Sequence, residues 1–323
     1  MFMHLQTHIR VYGVVVEFKT NDKSMYAEWT KEFGQYIDHT ADEPDGRITV
    51  LVKDKLSFEV PEHAVRDSIV FPSASVYVYK GRIFLLEREK YFIILDPENF
   101  ESKIYVELKS SVFEKVRFIT KRFLIGSLEN KKIFSIHGSA VCDDSGTIVF
   151  CGVSGSGKTT CMLSMLEKGY RMVADDIVLI DGDSILPFFL RSMIHKDTLK
   201  RFPSLVSGID NGSTWITEAD GWWLNMLDVY RVQQEPVFPK AIFHTHVWNS
   251  TKSSCEEIEP SKLLPSLMKN YMMEAGAIFQ PNSGQVKRAF AAYLKIIEKS
   301  NCYNLYVGTD LNKLYETIKG VVG

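Results

Sequence analysis

Eleven residues, Phe150-Cys151-Gly152-Val153-Ser154-Gly155-Ser156-Gly157-Lys158-Thr159-Thr160, constrain this chain more than any other stretch. Gly152, Gly157, Lys158 and Thr159 satisfy G-x-x-x-x-G-K-[ST], the spacing of a phosphate-binding P-loop. The β-branched, apolar run Thr147-Ile148-Val149-Phe150-Cys151 before it predicts a short buried strand. Cys161-Met162-Leu163-Ser164-Met165-Leu166 after it predicts a helix that stops at Gly169, a residue suited to a left-handed cap. The glycines therefore sit where a strand turns into a helix. Glycine lets backbone N–H groups converge on a polyphosphate without Cβ clashes, and the helix N-terminus adds unpaired donors and a favourable dipole. Ser154, Gly155, Ser156 and Thr160 join the motif residues as the expected nucleotide-binding set. Lys158 is placed to reach the β and γ phosphates, and the Thr159 hydroxyl to ligate Mg²⁺.

A second feature follows. Tyr170-Arg171-Met172-Val173-Ala174-Asp175-Asp176-Ile177-Val178-Leu179-Ile180 reads as one apolar strand with two adjacent acids. Neighbouring strand residues point to opposite faces, so one acid can face a nucleotide while the other holds the loop. Beside a bound Mg-nucleotide a carboxylate serves as metal ligand or as base for an attacking hydroxyl.

From Ile136-His137-Gly138 through the loop to Ala174-Asp175-Asp176, the chain resembles the catalytic core of the HPr kinase/phosphorylase family. His137-Gly138, Gly152 to Thr159, Lys168-Gly169 and Val173-Ala174-Asp175-Asp176 stand in that family's order at similar spacing. The wider group includes ATP-dependent phosphoenolpyruvate carboxykinases, whose loop ends like Gly157-Lys158-Thr159-Thr160, and kinases that tailor lasso-peptide precursors. The resemblance implies an α/β fold with an HPr-kinase/carboxykinase-type P-loop domain. It implies ATP and Mg²⁺ as cofactors, Asp176 as the base for a serine hydroxyl, and His137 near the γ-phosphate. Lys158 and Thr159 would hold phosphates and metal, and Asp175 would support the metal site. Thr160 stands where typical HPr kinases carry glutamate, and the family's Glu-x-Arg-Gly and Pro-Gly-Arg-Asn segments are absent from the sequence. These departures point to a divergent member acting on another hydroxyl, with a protein or ribosomally made peptide bearing Ser or Thr as the expected partner. The alternatives are a small-molecule kinase, a carboxykinase-like enzyme, or a nucleotide-gated binding module without catalysis.

With 323 residues the length suits two domains. The expected division is a β-rich (α+β) N-terminal domain over 1–109, a linking helix over 110–132 lying against the P-loop sheet, and the P-loop domain over 133–323. In the first part, Arg10 to Phe18 predicts one strand and Ser24 to Tyr36 a helix with Trp29, Phe33 and Tyr36 on its apolar stripe. Short runs at 48–52, 76–79, 83–86, 91–95 and 104–108 then predict a meander of hairpins.

The net charge of −2 argues against nucleic acid as the main partner, although Lys115, Arg117, Lys121 and Arg122 make the linking helix basic. Five scattered cysteines without a Cys-x-x-Cys pair read as buried apolar residues in a reducing compartment. No stretch approaches a membrane span and the first residues lack a signal-peptide pattern, so a cytoplasmic protein without membrane attachment is expected. A homo-oligomer stays open. Further candidates are Arg191 as a cation near the γ-phosphate, and Glu218, Asp220 or Asp228 as an added acidic ligand. Trp222-Trp223 reads equally as a peptide contact or a core cap, and His244 and His246 share a strand face without a third metal ligand nearby.

Overall fold

The computed structural model describes residues 5–40, 43–66, 74–87, 90–107, 112–205, 215–216, 221–276 and 281–323. The chain is mixed α/β and forms two compact units, Met1–Lys132 with Ala275–Pro281, and Ile133–Glu274 with Asn282–Gly323.

In the first unit the strands are β1 (Leu5–Val11), β2 (Val14–Thr20), β3 (Ile37–Asp38), β4 (Gly46–Lys53), β5 (Val65–Arg66), β6 (Ser75–Tyr79), β7 (Arg82–Glu87), β8 (Tyr91–Asp96) and β9 (Glu101–Glu107). They form one sheet in the order β3-β1-β2-β4-β9-β8-β7-β6-β5. The expected single strand over Arg10–Phe18 is instead a hairpin. Tyr12 and Gly13 both take positive φ, 47° and 78°, and fold β1 back on β2. From β6 to β9 the strands run as the antiparallel meander that the turn signals predict.

Helix α1 (Lys23–Phe33) is capped by Asp22, whose side chain accepts from the Met25 N–H. Trp29 is fully buried and stacks on Phe18 of β2 at 4.5 Å. Helix α2 (Phe113–Asn130), expected to lie against the P-loop sheet, belongs to the first unit, where it packs on β2, β4 and α1. The reason lies in its side chains. Val116, Ile119, Phe123 and Leu124 are buried, and Arg117 is drawn in to pair with Glu32 of α1 at 2.5 Å. Arg117 and Arg122 are buried, so the helix is not a uniformly solvated basic face.

The second unit holds β10 (Ile133–Asp143), β11 (Gly146–Cys151), α3 (Lys158–Leu166), β12 (Arg171–Ala174), β13 (Ile177–Asp181) and β14 (Ser184–Leu186). There follow β15 (Ser192–His195), α4 (Lys196–Arg201), β16 (Trp215–Ile216), β17 (Gly221–Leu224), β18 (Pro239–Val247) and β19 (Ser254–Glu257). The last elements are α5 (Pro260–Gly276), α6 (Ser283–Glu298), β20 (Asn301–Val307) and α7 (Leu311–Val322). Its main sheet has the order β14-β13-β10-β11-β18-β20-β19, with β12 also paired to β10. β11, β18 and β20 are parallel neighbours, and Phe150, Phe243 and Tyr303 stack across them at 5.7 and 5.0 Å under α3. β15, β17 and β16 make a separate three-stranded sheet.

The two acids do not lie within one strand. Asp175 and Asp176 interrupt it, and β12 and β13 pair one after the other with the same long strand β10. Asp176 takes φ 67°, a left-handed conformation that aspartate tolerates better than most residues. Opposite the break stands Gly138, whose N–H donates to the Asp176 main-chain oxygen at 3.2 Å. A Cβ at Gly138 would meet the Phe150 carbonyl oxygen at 2.6 Å, so only glycine fits between β11 and this break. Gly138→Ala is expected to cost about 1–3 kcal/mol through overpacking, read as a fall of several degrees in Tm. An unchanged Tm would show that β10 does not need this close approach.

Candidate functional site

Register alone brings the site residues level with one another. Ala140 of β10 faces Val149 of β11 on one side and Ala174 of β12 on the other. Two residues along, Gly138 faces Cys151, so His137, the Asp175-Asp176 break and the start of the P-loop meet at one edge of the sheet.

The loop is built as its glycines demand. Gly152, Gly155 and Gly157 have φ values of 146°, 77° and 97°. A Cβ at Gly152 would lie 2.8 Å from Ser156 Oγ and 3.0 Å from the Thr245 carbonyl oxygen. Ser156 and Thr245 hydroxyls are 2.7 Å apart, and Thr245 also donates to the Cys151 carbonyl, so these side chains tie the loop to β18. Ser156 thus supports the loop with its hydroxyl, while Ser154, Gly155, Gly157, Lys158, Thr159 and Thr160 line a cleft.

That cleft has a volume of about 370 Å³, within the roughly 300–1,000 Å³ of small-ligand sites. Lys158 is buried, 7% exposed, and its Nζ donates to the Gly152 and Val153 carbonyls at 3.1 and 2.9 Å. Burial holds its ammonium below the ordinary lysine range, and Asp176 and Asp175 partly offset this. Asp175 is also buried. Burial pushes its carboxyl above the usual carboxylate range, while Ser139 donates to its Oδ1 at 2.6 Å and opposes the shift. Thr159 Oγ1 stands 3.4 Å from the same oxygen. The Asp176 side chain is 36% exposed and lines the cleft. His137 Nδ1 lies 3.1 Å from the Asp176 main-chain oxygen, which can only accept, so Nδ1 carries a proton. It is also 3.4 Å from Asp176 Oδ1.

The rest of the lining consists of Met193, His195, Thr198 and Trp223. Only Trp223 stood out in the sequence for a contact role. The signal for Met193 and His195 was alternation along Ser192-Met193-Ile194-His195, in which Ile194 faces the core. Trp222 packs against that core, while its neighbour Trp223 lines the cleft. Arg191 is buried and does not line the cleft, against the expectation of a cation there. Asp228 ends a short 3-10 turn, paired with Asn225 Nδ2 at 3.2 Å and away from the cleft lining. Glu218 and Asp220 lie outside the described residues.

His244 and His246 do share a face of β18, with ring centroids 4.3 Å apart, but they contact Ser266 and Asn304. Among the described residues no group of three His, Cys, Asp or Glu side chains is arranged to hold a metal. The cysteines are free, and no described helix is long and apolar enough to cross a membrane. Comparison with models of known protein families finds no match, and comparison with curated proteins finds none either.

Proposed function

We propose that this chain is an ATP- and Mg²⁺-dependent kinase that transfers a γ-phosphoryl group to a serine-type hydroxyl on a protein or ribosomally made peptide. Its second unit would then share the arrangement of the HPr-kinase/carboxykinase group. One observation carries the reading: His137, Lys158, Thr159, Asp175 and Asp176, from three separate segments, line a single cleft at a P-loop.

The donors fit the groups. Thr159 and the two aspartates offer hard oxygen ligands, and Mg²⁺ normally completes its shell with phosphate oxygens and water rather than an all-protein cage. When bound, Mg-ATP supplies the phosphoryl group and the cation's charge. The glycine-rich loop and the first turn of α3 present backbone donors to phosphate. Lys158, already beside the loop carbonyls, adds a positive charge where the transferring group gains negative charge.

The two acids divide the remaining work. Asp175, buried against Ser139 and Thr159, fixes the metal side. Asp176, the exposed one, accepts the proton of the incoming hydroxyl. His137 holds Asp176 in its left-handed conformation through the main-chain oxygen. The test compares phosphopeptides by mass spectrometry in cells expressing the wild type or Asp176→Asn. An acceptor phosphorylated only with the wild type supports the reading. Identical profiles from two proteins that bind ATP equally would remove Asp176 as the base.

A further inference from the structure

Part of the cleft lining is an arch of chain running from β15 into α4, with β17 paired to β15. Its first residue, Ser192 of β15, is buried and pairs with Leu224 of β17. Its last, Arg201 of α4, donates from Nη2 to the Thr309 carbonyl at 2.9 Å, just beyond β20. The chain between them supplies Met193, His195 and Thr198 to the same cleft that Lys158, Thr159 and Thr160 of α3 line. Ile194 and Leu224 face the core beneath it, while Met193, His195 and Trp223 face the cleft. Met193 and Trp223 are directly opposite each other across β15 and β17.

A polyphosphate in this loop has a fixed polarity. In a P-loop the backbone cradles the α and β phosphates and the lysine reaches the β and γ phosphates. The γ end therefore lies with Lys158, Asp176 and His137, and the α end with the first turn of α3, where Thr160 lines the cleft. Met193, Thr198 and Trp223 line the same cleft as Thr160. An indole beside a thioether is a stacking surface for a flat π-system.

We infer that the arch is the nucleoside subsite, in which the aromatic base of the nucleotide stacks on Trp223 with Met193 beside it. This rests on the proposed nucleotide-dependent function and adds where the base goes. It also leaves the acceptor to enter from the His137–Asp176 end.

The experiment measures binding of Mg-ATP and of inorganic tripolyphosphate with Mg²⁺ by calorimetry, to the wild type, Trp223→Ala and Trp223→Phe. Loss of one base–aromatic stack is expected to weaken ATP about ten-fold or more in Trp223→Ala. Tripolyphosphate should stay within about two-fold of wild type, which also shows that the variant is folded, and Trp223→Phe should hold ATP within about three-fold, since a phenyl ring still stacks. Photolabelling of the wild type with 8-azido-ATP needs no variant, and the label is expected within 192–198 or 221–224. The inference is overturned if Trp223→Ala binds ATP as wild type does, if it loses both ligands equally, or if the label falls elsewhere. It is likewise overturned if only the KM of a peptide acceptor rises, since this part of the lining would then belong to the acceptor. A wild type that binds neither ligand would sink the kinase reading along with it.

Discussion

Asp176→Asn is expected to lower kcat for phosphoryl transfer by roughly 10²–10⁴, the usual contribution of a positioned general base. ATP affinity should stay within about three-fold, because the Asp176 side chain is exposed and it is Asp175 that is buried against Thr159. Asparagine suits this position in a test. It tolerates the left-handed backbone at φ 67°, and the main-chain oxygen that receives His137 and Gly138 is unchanged. Asp175 cannot take over the proton, since it is buried and already occupied by Ser139 at 2.6 Å. The measurement is single-turnover transfer with purified protein beside ATP binding on the same sample. A variant that binds ATP and transfers phosphate at the wild-type rate would assign Asp176 a structural role only.

Lys158→Met should separate binding from stability. The lost charge-assisted contacts to phosphate are expected to weaken ATP by roughly 10–100-fold, about 1.5–3 kcal/mol. The apo protein should nevertheless become more stable at neutral pH. Burial lowers the folded-state pKa of this lysine, so the native state carries its charge at a cost that the unfolded chain does not. The cost is full below the folded pKa and fades as pH rises through it, until both states are neutral above about pH 10.4. The Tm of Lys158→Met should therefore exceed wild type at pH 7, with the gap closing towards alkaline pH. A variant less stable than wild type at pH 7 would mean that the bonds to the Gly152 and Val153 carbonyls outweigh the desolvation of the charge.

The strand–loop–helix around Gly152 to Lys158 was legible because its conformation is local. Strand, glycines and helix occupy consecutive residues, and the positive φ values at Gly152, Gly155 and Gly157 are ones that only glycine adopts readily. The meander from β6 to β9 was legible for the same reason, each strand pairing with its sequence neighbour. Patterning failed where two conformations share one composition. Arg10 to Phe18 and Tyr170 to Ile180 are both apolar enough for single strands, yet Tyr12-Gly13 turns the first and Asp175-Asp176 breaks the second.

Contacts between distant segments were out of reach of any local pattern. Nothing in the sequence of α2 says which sheet it covers, because an amphipathic stripe specifies burial and not the surface that buries it. The same holds for Arg191, which local order places near the acids and tertiary packing buries away from the cleft lining. The rest of the cleft lining depends on pairing β15 with β17 across a gap in sequence, which alone sets Met193 opposite Trp223. The sequence by itself determined a strand–loop–helix with the glycine spacing of a phosphate-binding motif and two acids close behind it. Only the tertiary structure decided which acid is exposed and what lines the cleft with the loop, because burial and long-range register are properties of the packed chain.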